Sequence, residues 1–126
     1  MSDPTGTDDA RQIAEAFSRH DFAIAYPRLA DDIRWTAHGG PTTVGRDAVV
    51  AVCEQTLADL ADTTTTFTSW HVIDAGDDVV VDVIARYDGP AGTFTVASCD
   101  LYRFTDGTLS AITSYTAEVS SAAPHS

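Results

Sequence analysis

The second half of the chain is its strongest constraint. From Thr63 to Val119, β-branched and aromatic residues dominate, and the run breaks only at Ala75-Gly76-Asp77, Asp88-Gly89-Pro90-Ala91-Gly92 and Thr105-Asp106-Gly107. Side chains of that kind favour pleated strands, and breaks so short permit only hairpin connections. The pattern therefore predicts four consecutive antiparallel strands over residues 63–73, 79–87, 93–104 and 109–119. A meander of such long strands requires a cover on at least one face, and the first half of the chain has to supply it.

That half reads as helical. Ile13, Ala14, Ala16 and Phe17 recur at helical spacing behind Asp8 or Asp9, either of which is placed to cap the N-terminus, so a first helix extends to about Arg19. After a break at His20-Asp21, the residues Phe22, Ile24, Ala25, Tyr26 and Leu29 predict a second helical segment, with Pro27 tolerated near its first turn. Residues 33–38 alternate as a short strand that Gly39-Gly40-Pro41 ends. Beyond Gly45-Arg46-Asp47, the stripe Ala48, Val49, Val52, Cys53, Thr56, Leu57 and Leu60 marks a third helix. The expected fold is α+β, in the order α-α-β-α-β-β-β-β, with one domain over residues 8–119. Residues 1–7 and 120–126 lack apolar periodicity and read as disordered ends.

Charge excludes several function classes. Nineteen acidic residues against seven basic ones give a formal net charge of -12, and the seven arginines are scattered along the chain. Such a field repels phosphate backbones and anionic lipid, so neither nucleic acid nor membrane is an expected partner. Lysine is absent and Asp outnumbers Glu, a bias that either a GC-rich genome or a salt-rich cytoplasm would produce. No run approaches the roughly 20 apolar residues of a membrane span. Residues 1–9 carry no basic end or apolar core, so a cytoplasmic location is expected. Cys53 and Cys99 lie far apart, with no CxxC spacing or paired histidines, and read as free thiols and not as metal ligands. Neither a Gly-rich phosphate loop nor a nucleophile elbow occurs, and no metal or cofactor is expected.

Three segments in order carry a resemblance: Leu29-Ala30-Asp31-Asp32-Ile33-Arg34-Trp35, then Val44-Gly45-Arg46-Asp47-Ala48-Val49, then Asp100-Leu101-Tyr102-Arg103-Phe104-Thr105-Asp106-Gly107. Together they resemble the nuclear transport factor 2-like superfamily, in its SnoaL-like branch, over about residues 9–119. The resemblance implies a cone-shaped α+β barrel with a mostly apolar cavity between helices and sheet. Polyketide cyclases, ketosteroid isomerases, limonene epoxide hydrolases and scytalone dehydratases share that cavity with non-enzymatic binding and assembly domains, so its polar residues must decide the chemistry.

Asp100 is the first candidate. It shares a strand face with Phe94, Val96, Ser98, Tyr102 and Phe104, and the resemblance turns that face to the cavity. Burial disfavours the carboxylate anion, so Asp100 could persist as a neutral acid that stabilises a developing oxyanion, the role an Asp has in similar steroid isomerases. The alternative is a structural ion pair with Arg86 or Arg103. Other isomerase positions are not filled: Ala37 stands in place of the general-base Asp and Ile13 in place of the oxyanion Tyr. The epoxide hydrolase pattern finds Trp35, Ala37, Val80 and Ser114 at its polar positions, leaving only Asp82. Asp82 faces either the cavity, as a partner for Asp100, or solvent, depending on whether the 88–92 turn contains a bulge. His38, beside two glycines, is either a third proton-transfer candidate at the cavity mouth or a solvated loop residue. Histidines 20, 71 and 125 are not expected in the site.

Phe17, Tyr26, Trp35, Val52, Cys53, Trp70, Val96 and Ile112 are expected to line the substrate site, with Ser98, Tyr102 and Ser114 supplying hydrogen bonds. The leading expectation is general acid/base chemistry on an apolar, cyclic or polyketide-like carbonyl compound. The competing one is a non-catalytic domain that binds a hydrophobic ligand or acts as a dimeric scaffold. On the opposite sheet face, Cys99, Leu101 and Tyr115 suggest a sheet-to-sheet homodimer, with scattered surface hydrophobes as the alternative.

Overall fold

The computed structural model describes residues 5–119, with side chains from Ala10 onward. Helix α1 (Thr5–Ser18) is followed by two 3-10 turns (Phe22–Ile24 and Tyr26–Arg28), strands β1 (Leu29–Ala37) and β2 (Thr42–Val44), and helix α2 (Arg46–Asp59). Strands β3 (Thr64–Asp74), β4 (Asp78–Gly89), β5 (Gly92–Thr105) and β6 (Thr108–Val119) complete one six-stranded sheet in the order β2-β1-β6-β5-β4-β3. No helix among the described residues is long and apolar enough to cross a membrane.

Several expectations change. Helix α1 begins at Thr5, so Asp8 and Asp9 lie inside it and not at its N-terminus. The expected second helix is only the pair of 3-10 turns. Pro27 has no N–H to enter an α-helical ladder, and the segment closes instead through short bonds, Ala25 N to Phe22 O at 2.8 Å and Arg28 N to Ala25 O at 2.9 Å. Strand β1 starts at Leu29, β2 is an added edge strand, and β1 runs parallel to β6, so the sheet is not wholly antiparallel. Of the expected disordered ends, residues 5–7 belong to α1, while residues 1–4 and 120–126 lie outside the described part.

The core forms where α1 and α2 close over one sheet face. Ile13, Ala14, Ala16 and Phe17 of α1 are buried as their spacing predicts. Only Val49 and Cys53, one turn apart, are fully buried on α2, while Val52 and Leu57 point outward, so its apolar stripe is narrower than the sequence suggests. Two bulges tune the sheet. Thr68 is the extra residue that lets Phe67 and Trp70 share the inner face, where their rings meet edge to face at 5.1 Å. Ser110 does the same for Leu109 and Ile112, both buried.

The β5–β6 hairpin turns on Asp106-Gly107 alone, since Thr105 pairs with Thr108. Both turn residues have positive φ, 52° and 80°, as a type I′ turn requires. Replacing Gly107 with Ala places a Cβ in left-handed backbone, and we expect the variant to lose about 1–2 kcal/mol of stability in urea unfolding. An unchanged unfolding midpoint would contradict this turn geometry.

Candidate functional site

A cavity of about 300 Å³ lies between the C-terminal end of α1 and the inner sheet face. Phe17, Phe22, Trp35, Phe67, Val83 and Val96 form its apolar wall, and Ser18, His20, Thr56, Tyr87, Ser98, Asp100, Tyr102, Ser114 and Thr116 supply its polar groups. It adjoins a hollow of about 630 Å³ beside the β4–β5 hairpin, and His20, Thr56, Tyr87 and Val96 belong to both. Among the described residues, the cavity wall holds one carboxylate and no arginine.

Register places that carboxylate. Asp100 pairs with Val81 on one side and Ser114 on the other, so all three share the inner face. Its contacts are hydroxyls: Ser18 Oγ donates to Oδ2 at 2.9 Å, Tyr102 OH lies 3.4 Å from the same oxygen, and Ser114 also hydrogen-bonds the carboxyl. A tight 2.6 Å bond joins Ser18 Oγ to Tyr102 OH, and Trp35 Nε1 donates to Ser114 Oγ at 3.0 Å. Ser18 and Ser114 are themselves buried, so the network repays hydroxyls that would otherwise lack partners. The structural ion pair does not form. Arg86 bonds Asp88 at 3.0 Å and Arg103 bonds Asp78 at 2.9 Å, both at the surface.

Electrostatics follow from this burial. Loss of water pushes the Asp100 carboxyl above its ordinary value, and the three hydroxyls and the charge of His20 only partly pull it back. Burial pushes the Tyr102 phenol well above its usual range, and the Asp100 charge adds to it. For His20 the direction is opposite: burial lowers its pKa, with Asp100 partly offsetting the shift. The acid is thus weakened and the base is weakened, which narrows the gap between them.

His20, which the sequence does not place in the site, lines the cavity. Helix α1 stops with Asp21 N bonded to Ala16 O at 2.8 Å and His20 N bonded to Phe17 O at 3.1 Å, the paired bonds of a Schellman end. The residue between helix and loop then takes a left-handed conformation, and His20 has φ of 71°. Glycine suits this position, whereas a residue with a Cβ gives up about 1–2 kcal/mol. A helix end without glycine, Ser18-Arg19-His20-Asp21, was the available signal.

Of the other expected residues, Phe17, Trp35, Val96, Ser98, Tyr102 and Ser114 line the cavity. Seven do not. Asp82 pairs directly with Cys99 in a β4–β5 register unbroken from Asp78–Arg103 to Gly89–Gly92, so without a bulge it faces outward and is exposed. His38 is exposed and stacks on Tyr115 at 4.4 Å, away from the cavity. Tyr26 donates its hydroxyl to Glu54 at 2.6 Å on the surface, and Trp70 is drawn aside by the bond from Nε1 to Glu15 at 2.8 Å. Val52 lies on the outer side of α2. Cys53 and Ile112 are sealed within the core, where burial pushes the Cys53 thiol up to about 12, with the Glu54 charge adding to the shift. Both cysteines are free. Ser18, Phe22, Ala37, Thr56, Phe67, Val83, Tyr87 and Thr116 enter unannounced; the bulge at Thr68 turns Phe67 inward, and alternation along β4 carries Val83 and Tyr87 to the inner face.

The SnoaL-like domain model matches residues 10–112, and the chain belongs to that family, within the nuclear transport factor 2-like superfamily. A nuclear transport factor 2-like protein of unknown function from Cytophaga hutchinsonii is similar, with 29% identity, a TM-score of 0.79, and coverage of 89% of this chain and 99% of its own. Another of unknown function, from Burkholderia pseudomallei, has 26% identity, a TM-score of 0.63 and 90% coverage of each chain. An LEH-like epoxide hydrolase from M. tuberculosis shares the fold at 16% identity, with a TM-score of 0.68 and coverage of 88% of this chain and 84% of its own. No curated protein matches the chain.

Because Asp100 binds its proton more tightly in the folded state, its contribution to stability falls as pH rises from the ordinary carboxylate range through its raised value. An asparagine there cannot ionise. Asp100→Asn should therefore gain stability relative to wild type across that window and hold the gain above it. Denaturant unfolding of both proteins between pH 4 and pH 8 checks this, and a difference independent of pH would contradict a raised carboxyl.

Proposed function

We propose that the cavity carries out general acid/base chemistry on a neutral, apolar carbonyl compound, cyclic or polyketide-like, with Asp100 as the acid. The observation that carries this reading is a buried carboxyl held only by hydroxyls, in a cavity whose described wall has no other carboxylate and no arginine. Such a group stays protonated further up the pH scale and donates to a carbonyl oxygen as negative charge develops there. Ser18 and Tyr102 keep it aimed. Among the described residues, no arginine lines the cavity to receive an anionic substrate, and the chain's net charge of -12 repels one. A volume near the lower end for ligand pockets fits one or two rings, with any longer body extending into the outer hollow.

Hydrolase chemistry of the kind named for the M. tuberculosis relative has less support. The resemblance left Asp82 as its single matching polar residue, and Asp82 faces away from the cavity.

Deuterium exchange beside the carbonyl of cyclic ketones, beginning with 2-tetralone and followed by NMR, tests the reading. We expect wild type to catalyse exchange and Asp100→Asn to slow it by about 100-fold or more with unchanged circular dichroism. Binding of 2-naphthol, a planar mimic of the enol, without exchange of any ketone would replace the enzyme with a ligand-binding domain.

We also propose that the outer sheet face joins two copies of the chain. Ile73, Leu101 and Tyr115 stand there 54%, 41% and 47% exposed, close to Val80 and Cys99. An apolar patch on a sheet suits isologous pairing. Because each copy carries -12, screening should strengthen the dimer. Sizing chromatography should show a dimer whose share grows with salt, and a monomer at both physiological and high salt would refute it.

A further inference from the structure

We infer that His20 is the second proton-transfer group of the cavity, taking the carbon-bound proton of a carbonyl substrate while Asp100 supplies a proton to the oxygen. The inference rests on the acid role of Asp100 proposed above. Its own support is geometric. The His20 ring belongs to the walls of both the inner cavity and the outer hollow, so it stands where a ligand would pass between them. It is held among the rings of Phe22, Tyr87 and Phe67, at 5.6, 6.1 and 6.4 Å. Among the described residues, no side chain hydrogen-bonds its nitrogens. Its charge and that of Asp100 sense one another across the cavity.

The backbone makes the choice of residue informative. Both hydrogen bonds that end α1 use main-chain atoms, so the turn itself does not need a histidine. Glycine would form the same turn without left-handed strain. A strained position that aims a titratable ring into a cavity is the pattern of a functional site.

The step balances without a further reactant. An unprotonated imidazole nitrogen takes the proton next to the carbonyl, and the C–H electron pair becomes the C=C bond of an enol. The carbonyl oxygen receives the Asp100 proton, leaving imidazolium and carboxylate. Imidazolium then gives its proton to the same carbon or to a conjugated one while the enol O–H returns its proton to the Asp100 carboxylate, which regenerates both groups and completes exchange in the first case and isomerisation in the second.

Full-length His20→Gly, His20→Ala and His20→Gln test this beside Asp100→Asn, with 2-tetralone exchange, 2-naphthol binding and thermal melting as readouts. All three histidine variants should slow exchange by about 100-fold or more while still binding 2-naphthol. Added imidazole should restore exchange to His20→Gly and not to Asp100→Asn, which a merely structural histidine would not allow. His20→Gly should melt above His20→Ala; the reverse order would overturn the strained-turn argument. Wild-type exchange rates in His20→Gln, with Asp100→Asn inactive, would remove His20 and leave the Asp100 reading standing. Absence of exchange in wild type would overturn the Asp100 reading, and this inference with it.

Discussion

The unshifted pairing of β4 with β5 decides which side chains can meet. Residues directly opposite in antiparallel strands share a face, so Asp82 opposite Cys99 turns outward and Asp100 opposite Val81 turns inward. With Asp100 still inward, one bulge in the connecting turn would have turned Asp82 inward as well and put two carboxylates into the cavity. The pairing of β5 with β6 then sets Ser114 beside Asp100, and α1 lowers Ser18 onto both.

A competition between desolvation and hydrogen bonding governs the chemistry of this site. Three hydroxyls favour the carboxylate, but neutral donors do not match the water that burial removes, and the acid is weakened. An arginine in the same place would have reversed the outcome and left a permanently ionised Asp100. Arg86 and Arg103 instead pair with Asp88 and Asp78 at the surface, where exposed ion pairs contribute little to stability. In the proposed roles, a weakened acid and a weakened base share the cavity, and that narrowed gap suits reversible proton transfer.

His20 shows how local stability and site geometry oppose one another. The end of α1 would be more stable with glycine, yet glycine has no side chain to carry into the cavity. The aromatic surroundings that hold the ring also remove water from it, so the packing that fixes its position depresses its basicity.

Much of this protein was legible in its sequence. Strand-forming runs with short breaks predict the β3–β6 meander, Ile13, Ala14, Ala16 and Phe17 predict the buried face of α1, and alternation along β5 groups Val96, Ser98, Asp100 and Tyr102 together. Those features depend on local propensity and period, which a sequence carries directly. The direction of Asp82, the parallel pairing of β1 with β6 and the added strand β2 depend on register between distant segments, which no local pattern encodes. Tyr26, Trp70 and Cys53 have the right character for a ligand site, but their partners Glu54, Glu15 and the core hold them elsewhere. The sequence by itself determined that a carboxyl would share a face with Ser98 and Tyr102. Only the tertiary structure decided that His20 would share its cavity, because a left-handed helix end redirects a side chain that helical periodicity alone leaves unplaced.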